Sequence, residues 1–150
     1  MNSPLTNHTI TIDGPTASGK GTLAKRLSAK YKAKYLDTGT LYRALTWAVL
    51  KCNIPLDDTS VIVVMATKMD FDFRHIGNNQ FATFMDGESI ERLIRTPEVD
   101  AATPILATNP DVRIALLDVQ KKFVRTWAPQ YGVILDGRDT GARIAPEALV

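Results

Sequence analysis

The stretch that decides the fold spans nine residues and reads Gly14-Pro15-Thr16-Ala17-Ser18-Gly19-Lys20-Gly21-Thr22. Its glycines and its lysine have the spacing of a Walker A phosphate-binding loop, with one extra glycine between the lysine and the threonine. A short β-branched run, residues 8–13, precedes the loop, and residues 20–31 follow it with helical spacing. One side of that helix carries Leu23, Leu27 and Tyr31. Strand, loop and helix in this order predict backbone N–H groups and a helix N-terminus that converge on a phosphate chain.

Two side chains of the loop have the chemistry that a bound nucleotide requires. Lys20 would reach the β- and γ-phosphates of ATP, and Thr22 would help to orient Mg²⁺. The alternative is a fortuitous glycine-rich turn, which the flanking strand and helix disfavour. We therefore expect residues 14–22 to bind the nucleotide cofactor.

The rest of the pattern predicts an α/β fold with a parallel sheet. Residues 33–36 form a second strand, and residues 132–135 are a near-continuous apolar run, typical of a buried parallel strand. From residue 70 the pattern alternates around the Gly77-Asn78-Asn79 turn, which predicts a small antiparallel excursion. Further helices are predicted at residues 41–51, 61–69, 98–107 and 111–127.

Composition excludes several classes of protein. A chain of 150 residues that is 45% hydrophobic and 23% charged is typical of one globular domain. Its net charge of +2 is too small to favour nucleic acid or a membrane surface as a partner. Cys52 is the only cysteine, so no internal disulfide forms, and no apolar run reaches membrane-spanning length. We expect a cytoplasmic protein.

A second candidate site follows the second predicted strand, where open α/β sheets place ligands. Residues 36–43 offer a hydroxyl on Thr38, an aromatic ring on Tyr42 and a guanidinium on Arg43, whose planar fork suits a phosphate. Taken alone, the segment is better explained by a helix cap with Arg43 on a solvated face. The glycine after the P-loop lysine, however, is the form found in nucleoside monophosphate kinases, which need an acceptor pocket.

The chain resembles the bacterial cytidylate kinase family in segments that keep the family's order and rough spacing. These segments are residues 14–22, 36–43, 94–96, 110–117 and 133–139, so the resemblance covers nearly the whole chain. The strand-rich stretch at about residues 70–95 is similar too, since cytidylate kinases carry such an insert and adenylate kinases lack it.

The resemblance implies a P-loop NTPase three-layer fold, with residues 1–150 in a single domain that includes the insert. It also implies transfer of the γ-phosphoryl group of ATP to CMP or dCMP with Mg²⁺. The full-length enzyme would be a monomer that acts on these small molecules, and not on a nucleic acid polymer or a membrane.

Roles on the phosphate side are carried over to the matching positions. Thr38 and Arg43 look like the pair that meets the acceptor phosphate, and Arg138 resembles a further phosphate ligand. Asp136 is similar to the strand-end carboxylate that holds Mg²⁺ through water. Lys20, Arg43 and Arg138 would then carry catalysis through positioning and positive charge.

Two further positions resemble the family's cytosine readers, Arg113 and Asp139. A carboxylate accepts from the exocyclic amino group of cytosine, and a guanidinium donates to the ring acceptors. One departure from the family bears on this role. Pro104, with Thr103 beside it, stands where the family usually has a base-contacting serine, and proline donates no hydrogen bond.

The C-terminal end is a second departure, since the sequence ends at Val150, where the family enters its next strand. We expect the lid arginines, a ribose-binding aspartate and the last core elements to be absent, with a steep loss of activity. Three alternatives stay open: a kinase for another nucleoside monophosphate such as UMP, a catalytically incompetent nucleotide-binding fragment, and a fragment that pairs with another chain through an exposed edge.

Overall fold

The computed structural model describes residues 3–13, 19–78 and 80–137, and these fall into two compact units. The first unit takes in the described residues up to Thr38, those at 73–81 and those from Gln120 onward. The second takes in residues 39–72 and 82–119. The single domain with an insert at about residues 70–95 stays a prediction. Within the described ranges, no helix has both the length and the apolar character needed to cross a bilayer.

The described strands and helices alternate at the start of the chain, and later elements come in groups of one type. In chain order they are β1 (Thr9–Asp13), α1 (Lys20–Tyr31), β2 (Lys34–Asp37), α2 (Thr38–Lys51), α3 (Thr59–Lys68), β3 (Phe71–Gly77), β4 (Gln80–Met85), β5 (Glu88–Ser89), α4 (Pro97–Ala107), α5 (Pro110–Tyr131) and β6 (Val133–Gly137).

A three-stranded parallel sheet with the order β1-β6-β2 forms the centre of the first unit. Strand β6 is buried along its whole length, as its apolar run predicted. In the sheet register, Ile12 and Asp37 both lie opposite Asp136. The carboxyl ends of all three strands therefore meet at one edge. The predicted α/β fold with a parallel sheet is confirmed.

Helix α1 has the predicted bounds, and small side chains form its most buried face. Ala24 and Ser28 are the buried residues, whereas Leu23 is 50% exposed. The side of α1 that carries Leu23 is therefore not its most buried side. Small side chains at positions four residues apart let a helix lie close to a sheet, and the hydrophobic periodicity of larger residues did not reveal this.

Helices α2 and α5 extend beyond their predicted bounds by the most residues. Helix α2 begins at Thr38, three residues before the predicted start, because the chain passes from β2 into the helix without an intervening turn. Helix α5 continues to Tyr131 although Pro129 lies within it. Pro129 has no N–H for the carbonyl oxygen four residues earlier, and the helix ends two residues after it.

The core of the second unit is formed by helices α2 to α5. Its buried residues are Leu41, Leu45, Val49, Ile62, Ala66, Leu106, Val112, Ala115 and Leu116. A second buried cluster joins Ala44 and Ala48 of α2 to Met85, Ile90 and Ile94. Helix α2 thus buries two sides, in agreement with its largely apolar surface. The predicted strand-rich excursion is also present, as a sheet with the order β3-β4-β5.

Candidate functional site

The carboxylate of Asp136 is the centre of a polar cluster in the first unit. Asp136 is the fourth residue of β6, is only 2% exposed, and its Oδ1 lies 2.6 Å from Lys20 Nζ. Lys20 opens α1 directly after Gly19, whose φ of 87° lies in the left-handed region that glycine adopts without a steric penalty. The structure thus brings together the P-loop lysine and the strand-end carboxylate, two residues singled out by the sequence.

The extra glycine of the loop lies against the same carboxylate. A Cβ atom at Gly21 would stand 3.4 Å from Asp136 Oδ2, which is van der Waals contact. The first turn of α1 therefore touches the end of β6, and a side chain at residue 21 would place apolar atoms against a buried charge.

Sequence reasoning missed a third member of this cluster, Tyr35. Its hydroxyl donates a hydrogen bond of 3.1 Å to Asp136 Oδ2, and the residue is 1% exposed. Strand geometry contained a signal for it. Tyr35 precedes Asp37 by two residues, so both side chains leave the same face of β2, and Asp37 is the register partner of Asp136.

The oxygen ligands of this cluster fit Mg²⁺. Proteins usually hold Mg²⁺ through one or two carboxylates together with the phosphates of the substrate, without a cage of their own. Asp136 offers such a carboxylate, and Thr22 is an exposed hydroxyl on the first turn of α1. No group of three or more His, Cys, Asp or Glu side chains forms a metal cage in the part of the chain that the structure describes.

Arg43 lies in the second unit and already has two acceptors. Its NH1 donates to the carbonyl oxygen of Ile94 at 3.2 Å and also to Asp100 Oδ1. The Arg43 side chain is 29% exposed and that of Asp100 is 58% exposed. The guanidinium is thus held in place by groups that a phosphate could replace. The sequence singled out Arg43 but gave no signal for Asp100.

Arg95 contacts the helix that carries Arg43. Its NH2 donates to Thr40 Oγ1 and to Glu91 Oε1, both at 3.3 Å. Thr40 precedes Arg43 by three residues on α2, so these two positions lie on the same face of that helix. The sequence placed Arg95 in a family-like segment without assigning it a role.

Glu91 anchors Arg95 to strand β4. Its Oε2 accepts a 2.7 Å hydrogen bond from the backbone N–H of Thr83. Burial raises the pKa of Glu91, but the hydrogen bonds from Thr83 and the charge of Arg95 together outweigh it and bring the pKa below its ordinary value of 4.5. The ionised carboxylate is therefore the favoured form.

The remaining predicted site residues lie as follows. Thr38 is the first residue of α2, and Tyr42 packs against the core of the second unit. Arg113 is exposed, and its NH1 donates to the carbonyl oxygen of Ala107 at 3.0 Å. Pro104 is an exposed residue within α4. Residues 14–18, Arg138 and Asp139 lie outside the described residues.

Comparison with known proteins identifies the family. The family model described as cytidylate kinase matches residues 10–150. The chain belongs to the cytidylate kinase family. The resemblance predicted from its motifs is thereby confirmed.

Named relatives agree with this assignment. The cytidylate kinase of Aeromonas salmonicida (strain A449) is 40% identical over 94% of this chain and 59% of its own length. That of Desulfitobacterium hafniense (strain Y51) is 37% identical over 95% of this chain and 59% of its own length. A bifunctional pantoate ligase/cytidylate kinase of Synechococcus sp. (strain JA-2-3B'a(2-13)) is 36% identical over 97% of this chain and 27% of its own length. The chain thus spans 59% of the length of the first two relatives.

Proposed function

We propose that this protein transfers the γ-phosphoryl group of ATP to CMP or dCMP, forming ADP and CDP or dCDP. The observation that carries the proposal is the 2.6 Å contact between Lys20 Nζ and Asp136 Oδ1 at the carboxyl end of the parallel sheet. P-loop nucleotide-binding proteins use a lysine after the glycine-rich loop to hold the β- and γ-phosphates and a strand-end carboxylate to hold Mg²⁺, and this contact places two such groups side by side. Membership of the cytidylate kinase family supports the same reaction.

Lys20 would exchange its partner when ATP binds. In the structure, its ammonium group pairs with the carboxylate of Asp136. The β- and γ-phosphates bring a larger negative charge to the start of α1, where the helix dipole also favours anions. Lys20 would then turn to the phosphates, and Asp136 would be available to a hydrated Mg²⁺. The metal, when bound, supplies neutralisation of phosphate charge.

The acceptor phosphate would bind to the guanidinium groups of the second unit. Arg43 presents a planar fork, and its NH1 donates to the Ile94 carbonyl oxygen and to Asp100, which a phosphate would displace. Arg95 supplies a second cation next to Thr40. Thr38, Tyr42 and Arg138 complete the proposed acceptor set from the family pattern.

The chemistry requires no general base. An oxygen of the CMP phosphate attacks the γ-phosphorus of ATP, the bond between that phosphorus and the β–γ bridging oxygen breaks, and ADP leaves. The attacking oxygen is already ionised, so no proton has to be removed. The protein contributes position and positive charge through Lys20, Arg43 and Arg138.

Cytosine would be distinguished from uracil by Arg113 and Asp139. The amino group of cytosine is a donor for a carboxylate, and uracil has no such donor. Arg113 would have to exchange its bond to the Ala107 carbonyl oxygen for one to the base. We also propose the monomeric, cytoplasmic enzyme that the sequence predicted.

The test is release of ADP from ATP and Mg²⁺ with CMP, dCMP, UMP and AMP as acceptors. Lys20→Ala removes the proposed phosphate ligand, and Lys30→Ala removes an exposed lysine from the same helix as a matched control. We expect release that depends on CMP or dCMP, persists in Lys30→Ala and falls at least about 100-fold in Lys20→Ala. ATP binding without release for any acceptor would contradict transfer, and faster release with UMP would contradict the acceptor assignment.

A further inference from the structure

The carboxylate of Asp136 accepts hydrogen bonds from two different side chains. Asp136 divides its two oxygens between different donors, with Oδ1 2.6 Å from Lys20 Nζ and Oδ2 3.1 Å from the Tyr35 hydroxyl. If Lys20 moves to the phosphates of a bound nucleotide, it leaves Oδ1. The bond from Tyr35 does not depend on that movement, and so it keeps the plane of the carboxylate in one orientation.

Aromatic packing fixes the Tyr35 hydroxyl in this position. The Phe73 ring meets the Tyr35 ring edge-on, with centroids 5.9 Å apart and an interplanar angle of 83°. The Phe81 ring lies 4.8 Å from it at an angle of 41°. All three residues belong to the first unit. A buried tyrosine whose ring is packed on two sides has little freedom to turn its hydroxyl away.

We propose that Tyr35 is a positioning residue that orients Asp136 toward the Mg²⁺ of a bound metal–nucleotide complex. The inference rests on the proposed function, in which Asp136 holds that metal through water. It assigns to β2 a contribution to the nucleotide site that the loop motif does not contain. A neutral donor suits this role, because it orients the carboxylate without cancelling the negative charge that attracts the metal.

The experiment measures binding and does not depend on turnover. Equilibrium binding of ATP to the purified chain is titrated against Mg²⁺ concentration, and also measured in excess chelator. Tyr35→Phe keeps the ring and removes the hydroxyl. Tyr131→Phe removes a hydroxyl from an exposed residue of the same unit, and serves as the matched control.

We expect Tyr35→Phe to raise the Mg²⁺ concentration at half-saturation by about three- to tenfold, the usual value of one hydrogen bond. ATP affinity in chelator should stay unchanged, as should every value in Tyr131→Phe. In the Asp136→Asn background, Tyr35→Phe should have no further effect, because the carboxylate that it orients is already gone.

The experiment distinguishes failure of the positioning role of Tyr35 from failure of the proposed function. If the wild-type chain shows Mg²⁺-dependent ATP binding that Lys20→Ala weakens, but Tyr35→Phe leaves the half-saturation unchanged, the positioning role is wrong and the proposed nucleotide site stands. If the wild-type chain shows no Mg²⁺-dependent ATP binding, both proposals are overturned. An equal loss of affinity with and without metal in Tyr35→Phe would mean that the hydroxyl serves packing alone, which also overturns the inference.

Discussion

The two polar clusters of this protein hold their cations in different ways. In the first unit, Lys20 faces Asp136, whose side chain is 4% exposed and whose position is set by the register of a parallel sheet. In the second unit, Arg43 faces Asp100, whose side chain is 58% exposed. Salt screens an exposed ion pair strongly and a buried one only weakly. The Asp136 carboxylate is therefore held in place by the buried sheet, whereas the carboxylate that Arg43 contacts lies in solvent.

This difference matches the two tasks that we propose. The nucleotide side must hold a carboxylate in one place while phosphate charge moves past it. The acceptor side must release a guanidinium from a carboxylate each time a phosphate arrives, so a weak, exposed partner is sufficient there. The following predictions test whether the contrast holds, beginning with the largest effect.

Removing the charge of Asp136 should have the largest effect. Asp136→Asn keeps the shape of the side chain but no longer neutralises Lys20, and it offers a poorer oxygen to Mg²⁺. We expect the rate of CMP-dependent ADP release to fall by about 10²- to 10³-fold. The measurement is kcat/KM, with a denaturant titration to confirm that the variant is folded. A loss smaller than about threefold, well below the value of one such group, would mean that the buried pair has no part in transfer.

Substitution of two glycines with left-handed φ angles distinguishes the cost of steric crowding from the cost of backbone strain. Gly132, just before β6, has a φ of 74°, and a Cβ there would stand 2.2 Å from the Leu5 carbonyl oxygen. Gly87 has a φ of 85° with no heavy atom within 4 Å of such a Cβ. We expect Gly87→Ala to lower the free energy of unfolding by about 1 kcal/mol, and Gly132→Ala by about 3 kcal/mol or more. Urea unfolding measures both, and equal losses would contradict the role of the Leu5 contact.

The pH dependence of the contribution that Glu91 makes to the free energy of unfolding tests how strongly Glu91 holds Arg95. Because the pKa of Glu91 is lowered in the folded protein, its stabilising contribution is complete above the ordinary value of 4.5. That contribution is lost as the pH falls through the lowered value. Glu91→Gln should therefore reduce the free energy of unfolding at neutral pH by less than about 1 kcal/mol, since the pair with Arg95 is half exposed.

The difference between Glu91→Gln and the wild-type chain should disappear in acid. Denaturant unfolding of both proteins, from pH 7 down to pH values well below 4.5, measures this difference in stability. A difference that stays constant over this range would show that the charge of Glu91 contributes nothing. The matched change Glu88→Gln, at an exposed residue of β5, serves as the control for replacing a surface glutamate.

Asp100→Asn should have the smallest effect. Its carboxylate competes with the acceptor phosphate for Arg43, so removing the charge should lower the KM for CMP by about two- to threefold at low salt. The difference should vanish at high ionic strength. A large rise in KM would instead show that Asp100 is needed to hold Arg43 in place, and the contrast between the two clusters would then fail.

Much of the first cluster could be predicted from the sequence, because its parts lie in strongly patterned segments. The glycine loop predicts the start of α1, and the apolar run before Asp136 predicts a buried parallel strand that ends in a carboxylate. Tyr35 was missed because its contact spans 101 residues of sequence and depends on the register of β2 against β6. A local sequence pattern does not reveal the register between two strands.

The second cluster was harder to predict. Arg43 was found through its motif, but Asp100 lies 57 residues away in the first turn of α4, where an acidic residue is expected at any helix N-terminus. Glu91 and Arg95 lie in an irregular segment between β5 and α4. Periodicity gives no information about the direction of side chains in such a segment.

The sequence by itself determined the α/β class, the P-loop motif, the strand-rich excursion and the family, because these depend on residue spacing and hydrophobic periodicity. Only the tertiary structure decided which donors share the Asp136 carboxylate, which carboxylates hold Arg43 and Arg95, and which face of α1 is buried. Those outcomes depend on contacts between residues far apart in sequence. Packing, strand register and solvent exposure select such contacts, and these properties exist only in the folded chain.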